Sequence, residues 1–212
     1  MEEFIRITLL KVPPILLALT VHECAHAWVA TRLGDHTARM LGRVTLNPVK
    51  HLDPIGTIVL FLSGMFGWAK PVPVNPLNFR DPSRGMMWVS VAGPGANLFL
   101  AAVFALIYRL LNIGGYTLSV MGSPVLGPLF IMIKFSIIIN VSLAIFNMIP
   151  VPPLDGSKVL SHFLAADKAL GYARIEPYGF LILMVLIVTG IVGKILSPLV
   201  LYTVNLLVWG GV

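Results

Sequence analysis

The stretch VPPILLALTVHECAHAWVA, residues 12–30, decides the fold. It is apolar nearly throughout, opens on Pro13-Pro14 and is closed by Arg32, Gly34 and Asp35. Prolines suit the first turn of a helix, so a first membrane span is expected to begin there and end before Arg32. Yet this span carries His22, Glu23 and His26. An ionisable side chain at the bilayer centre costs on the order of 3 kcal/mol, and three so close together require compensation that a metal ion can supply. On a helix His22 and His26 lie one turn apart on the same face, so both imidazoles can ligate one metal. Glu23 beside them can take a proton from water activated there. This arrangement fits zinc-dependent hydrolysis. Cys24 lies on the far side of the helix and reads as a small packing residue.

The rest of the chain agrees with a membrane setting. It is 57% hydrophobic and 11% charged, against roughly 45–50% and 25% in soluble domains. A mean hydropathy of +0.90, spread along the sequence, requires several spans rather than one anchor. The net charge of +6 comes from Lys and Arg in short loops between apolar runs. That is a topology signal, so no nucleic-acid partner is expected. Cys24 is the only cysteine, which excludes an intrachain disulfide. The acidic N-terminus and the lack of a small-residue cleavage pattern argue against a signal peptide.

Residues 31–54 are polar and basic, and the alternation in Gly42-Arg43-Val44-Thr45-Leu46-Asn47-Pro48 reads as a short strand. Residues 55–68 are apolar but reach only roughly two thirds of a 30 Å hydrocarbon core, which fits a re-entrant or interfacial element. Prolines then make Trp68-Ala69-Lys70-Pro71-Val72-Pro73-Val74-Asn75 extended. Residues 86–111 form a second span containing Gly93-Pro94-Gly95-Ala96-Asn97, small residues that let helices approach. Residues 125–149 form a third, interrupted by Lys134, which is expected to face the bundle interior or a wet cavity. The stretch 179–209 reads as a span plus an interfacial helix. The uncharged loop 112–124 is expected to be extracytoplasmic, and 31–54, 69–85 and 150–178 cytoplasmic. The expected fold is an all-α polytopic membrane protein with about four to six transmembrane or re-entrant helices and a small membrane-associated β-element. No repeat or appended soluble domain divides residues 1–212, which read as one domain.

Catalytic zinc keeps three protein ligands and one open position, so a third ligand must come from outside the first span. Asp155 is a candidate, just past the third span and so at the cytoplasmic end. His26 lies about 9 Å along its helix from that same end. Taken alone, Asp155 reads more readily as the N-cap of a helix running from Ser157.

His-Glu-Cys-Ala-His at 22–26, with Asn147-Met148-Ile149-Pro150-Val151-Pro152-Pro153-Leu154-Asp155-Gly156 after a later span, resembles the site-2 protease family of intramembrane metalloproteases. The likeness extends to 93–97, 42–48 and 67–75, covers most of residues 8–160, and is to compact members without PDZ or CBS domains. It implies Zn2+ held by His22, His26 and Asp155, Glu23 as general base and acid, and Asn147 as a group holding the substrate backbone. It also implies a transmembrane protein substrate, contact with membrane lipid, and a multi-pass protein of a prokaryotic cell membrane with its active site towards the cytoplasm. Asn97 reads as structural. His36, His51 and His162 are expected to be solvated. Two rival readings share the helix motif: a metal or proton carrier, and a membrane zinc protease with a different third ligand.

Overall fold

The computed structural model describes residues 2–63, 68–113 and 122–210. Its helices are α1 (Glu2–Arg32), α2 (Thr37–Met40), α3 (Pro54–Ser63), α4 (Pro82–Ile113), α5 (Leu126–Asn147), α6 (Asp155–Phe163), α7 (Ala166–Ala173), α8 (Gly179–Val188) and α9 (Ile191–Trp209). Among the described residues, five stretches are long and apolar enough to cross a membrane: Ile5–Arg32, Pro82–Asn112, Leu126–Asn147, Ala166–Val188 and Ile191–Trp209. α3, at about 1.5 Å per residue, reaches only about half of a 30 Å hydrocarbon core.

The first helix does not start at Pro13-Pro14 but runs through both from Glu2. Two missing N–H groups cost two backbone hydrogen bonds, yet the apolar residues on either side keep the helical path, a trade that membrane helices tolerate. The C-terminal stretch differs as well. It breaks at Gly190, in the left-handed region with φ 75°, and the apolar helical stretch before the break reaches back to Ala166. Most of the expected uncharged loop, residues 114–121, lies outside the described residues.

α1, α4 and α5 pack together as the centre of the molecule, with α6 against α4 and α9 against α5 and α4. Ala105 and Tyr108 of α4 meet Phe130 and Ile137 of α5, and Val204, Leu207 and Val208 of α9 close over them. The polarity is the reverse of a soluble bundle. Asn97 and Asn140 are fully buried, and Thr20, Ser90 and Ser136 nearly so. Phe99, Leu110 and Leu201 are instead more than half exposed, at 71%, 61% and 62%. Such an exterior suits lipid, where polar side chains must find their partners inside the protein.

The expected β-element is not formed: among the described residues there is no strand, only an isolated antiparallel bridge between Leu52 and Ala69. Pro71 and Pro73 have no N–H to give a ladder. The donors on either side go to side chains instead, Val72 N–H to Glu23 Oε2 at 3.1 Å and Asn75 N–H to Asp35 Oδ2 at 2.8 Å. Asp35, fully buried just past α1, also accepts from Thr37 N–H and Oγ1–H and from Asn78 Nδ2. Arg43 Nη2 donates to Lys70 O at 2.5 Å, and Lys70 N–H to His51 O at 2.8 Å. Segment 70–75 is thus pinned alongside the end of α1 by buried side chains rather than by a sheet.

Candidate metal centre

Three helices converge at the centre. α1 supplies His22 and His26, α4 passes over them, and α6 brings Asp155 in its first turn. The Nε2 atoms of His22 and His26 are 3.0 Å apart, and Asp155 Oδ2 lies 3.2 Å from the first and 3.4 Å from the second. Two close approaches make this possible. A Cβ on Gly93 would stand 2.5 Å from His26 Nε2, so α4 can cross the imidazoles only with glycine there. A Cβ on Gly156 would stand 2.2 Å from Met148 O, so the same freedom lets α6 turn back against the end of α5 and aim Asp155 inward.

The other edge of each ring fixes its tautomer. His26 Nδ1 is 2.7 Å from Val89 O, a carbonyl that can only accept, so Nδ1 carries the proton. His22 Nδ1 is 2.6 Å from Asn97 Oδ1. The Asn97 amide cannot be reversed, because its Nδ2 donates to Ala18 O at 3.1 Å and to Asn140 Oδ1 at 2.7 Å. Asn140 is anchored by its own donation to Ser136 O. Both Nε2 atoms therefore present lone pairs, towards each other and towards a carboxylate. Asp155 Oδ2 is buried and accepts no hydrogen bond.

Three acceptors aimed at one point repel unless a cation sits among them. Tetrahedral zinc with donors about 2.0–2.1 Å away sets those donors about 3.3 Å apart, close to the spacings found here. His22, His26 and Asp155 form a group able to hold a metal ion, with all ligand atoms within 4.8 Å of one another. The residues fit zinc.

The sequence profile of peptidase family M50 matches residues 12–190. The chain belongs to peptidase family M50, the site-2 protease family. It is 38% identical to "Putative zinc metalloprotease YwhC" of Bacillus subtilis, over 94% of this chain and 91% of that protein. It is 31% identical to "Putative zinc metalloprotease Rip2" of Mycolicibacterium smegmatis, over 88% of this chain and 69% of the relative. It is 24% identical to "Zinc metalloprotease MJ0392" of Methanocaldococcus jannaschii, over 76% of this chain and 35% of that protein. No solved structure matches the chain. This M50 peptidase is an integral membrane zinc metalloprotease, with zinc as its cofactor.

The structure of this peptidase brings His22, His26 and Asp155 together and sets Glu23 next to them, half-buried. Asn147, the last residue of α5, donates from Nδ2 to Leu143 O at 2.9 Å. Cys24 is outside the metal-binding group. His162 faces Ser83 Oγ at 2.9 Å and is no partner of the centre. His51 is not solvated: it is 1% exposed and its Nε2–H donates to Thr45 O at 2.9 Å, because the chain at 68–70 folds over it. Lys134 does not face the interior. It is exposed, and its ammonium lies 5.3 Å and 5.7 Å from the ring centroids of Phe130 and Tyr108, where cation–π attraction replaces part of its hydration. Asn140 is the polar residue the sequence reading passed over. Its signal was its place mid-way along an apolar run, where an amide must be hydrogen-bonded inside the protein.

Proposed function

We propose that this peptidase hydrolyses peptide bonds of transmembrane protein substrates close to the cytoplasmic face of a prokaryotic cell membrane, and that residues 1–212 act as one membrane-embedded catalytic domain. The observation that carries the reading is the convergence of two Nε2 lone pairs and the unsatisfied Asp155 Oδ2 beside Glu23. In this reading His22, His26 and Asp155 are the zinc ligands and Glu23 the general base and acid. Zinc, when bound, polarises the scissile carbonyl and lets water be deprotonated near neutral pH.

The chain's own residues do the rest. Glu23 accepts a proton from the attacking water and returns it to the leaving amine. Val72 N–H, at 3.1 Å, holds Glu23 Oε2, so the carboxylate is oriented and Oε1 is left for the proton. Asn147 Nδ2 is committed to Leu143 O, so its Oδ1 is the atom that accepts a substrate N–H. A substrate helix must unwind to be cut, which exposes backbone groups that lipid cannot satisfy. A site near the helix ends lessens that cost. The face is read as cytoplasmic because Arg32, Arg39, Arg43, Lys50, Arg80 and Arg84 all lie between the last turn of α1 and the first turn of α4, at that end.

Membranes from cells expressing the wild type and Glu23→Gln, compared by proteomics of released fragments, test the reading. Fragments ending within or beside membrane spans should appear only with the wild type, while both proteins retain zinc. Identical fragment sets would refute it.

A further inference from the structure

Where α1 ends, a recess of about 580 Å³ opens between that helix and α2, lined by Trp28, Thr31, Arg32, His36, Arg39 and Val44. Proteolysis makes no use of it. Its charge is one-sided: Arg32 and Arg39 bring two guanidinium groups, and no carboxylate lines the recess. Neither arginine is in an ion pair among the described residues. Asp35, the nearest acid in sequence, is fully buried and spends its oxygens on Thr37, Asn75 and Asn78. The Arg32 guanidinium lies 5.1 Å from the Trp28 ring centroid, a contact that steadies the cation without neutralising it.

The setting selects the kind of anion. Trp28 and Arg32 stand in the last turns of a membrane-crossing stretch, at the depth where interfacial aromatic and basic residues meet headgroups. The chain beside the recess is apolar and uncovered: Leu33 is 37% exposed, Met40 79% and Leu41 61%. A site for a soluble anion or an acidic peptide has no need of that apolar rim. A phospholipid has, because its acyl chains must lie against something once its phosphate is held.

We propose that this recess binds the phosphate of an anionic phospholipid headgroup, with Arg32 and Arg39 as the principal contacts and the His36 ring edge as a third. The lipid would tie α2 to the end of the helix that carries His22 and His26.

The test uses the full chain in a neutral detergent, read by its thermal unfolding midpoint. Dioctanoyl phosphatidylglycerol, dioctanoyl phosphatidylcholine, inorganic phosphate and a glutamate-rich peptide are titrated separately. Phosphatidylglycerol should raise the wild-type midpoint saturably and the other three should not. Arg32→Gln/Arg39→Gln should need roughly tenfold or more phosphatidylglycerol for the same rise. Arg80→Gln, which removes an exposed charge outside the recess, should respond as the wild type does. If the double variant does not fold, Arg39→Gln alone on the exposed α2 gives the same comparison. Equal responses to the two lipids, an unchanged response of the arginine variants, or a matching response to phosphate or to the peptide would each overturn the assignment.

Discussion

His22 turns its Nε2 into the metal centre because its Nδ1–H is held by Asn97 Oδ1 at 2.6 Å, and Asn97 is held in turn by Ala18 O and Asn140. Second partners of this kind commonly carry a tenfold to hundredfold effect on metal affinity, because they orient the ring and raise its basicity. Asn97→Leu should therefore weaken zinc binding by roughly ten- to a hundredfold in chelator competition. Asn140→Leu, which removes one of the two acceptors that orient the Asn97 amide, should act in the same direction and less than additively with it. Strict additivity would show that the two amides do not work as a chain. The pairing of His22 with His26 is legible in sequence because four residues make one helical turn, whatever the rest of the fold does. The Asn97 contact is not, since its partners are 75 and 43 residues away, and an asparagine in an apolar run says only that some partner exists. His51 was misread for a related reason: polar neighbours in sequence do not reveal that another segment covers the ring.

Among the elements, segment 70–75 shows where pattern reading stops. Its prolines correctly indicate an extended chain, but together with the alternating segment 42–48 it suggests a small β-element. A strand needs donors at regular intervals, however, and here Pro71 and Pro73 supply none while Val72 and Asn75 donate to Glu23 and Asp35. Asp35 is the hub. Burial alone would raise its carboxyl pKa, but the hydrogen bonds from Thr37, Asn78 and Asn75 outweigh burial and hold it below the ordinary carboxylate value. A carboxyl depressed in the folded state stabilises the protein above its unfolded pKa of about 3.9, and that stability is lost as pH falls through the folded value. Asp35→Asn should destabilise by about 1–3 kcal/mol at neutral pH, since a buried donor set loses its charged acceptor. The gap from the wild type should close progressively as pH falls below about 4. Denaturation midpoints of both proteins across pH check this, and a gap independent of pH would assign the loss to packing instead.

On the scale of the molecule, the reversed polarity of the bundle and the positions of its helix ends make one topology. The end of α1, the start of α4 and the end of α5 lie together with the metal centre, so the end of α4 and the start of α5 lie at the opposite end of the bundle. In a Cys24→Ser background, a membrane-impermeant thiol reagent added to intact cells should label Ser123→Cys and leave Ser83→Cys unlabelled until the membrane is opened. That the chain crosses the membrane several times was readable in its composition, and the meeting of His22 and His26 with Asp155 was expected from the likeness to a known family rather than from spacing. The extra stretch from Ala166 was hidden by the charges of Asp167, Lys168, Arg174 and Glu176, and α1's passage through two prolines by their usual preference for helix starts. What binds the whole together is a metal centre shared between α1 and α6, and zinc content per chain probes it most directly. Elemental analysis of purified wild type, Glu23→Gln and Asp155→Ala should find stoichiometric zinc in the first two and little in the third. Full zinc in Asp155→Ala would contradict the account, because the metal would then be held by residues other than the three that converge here.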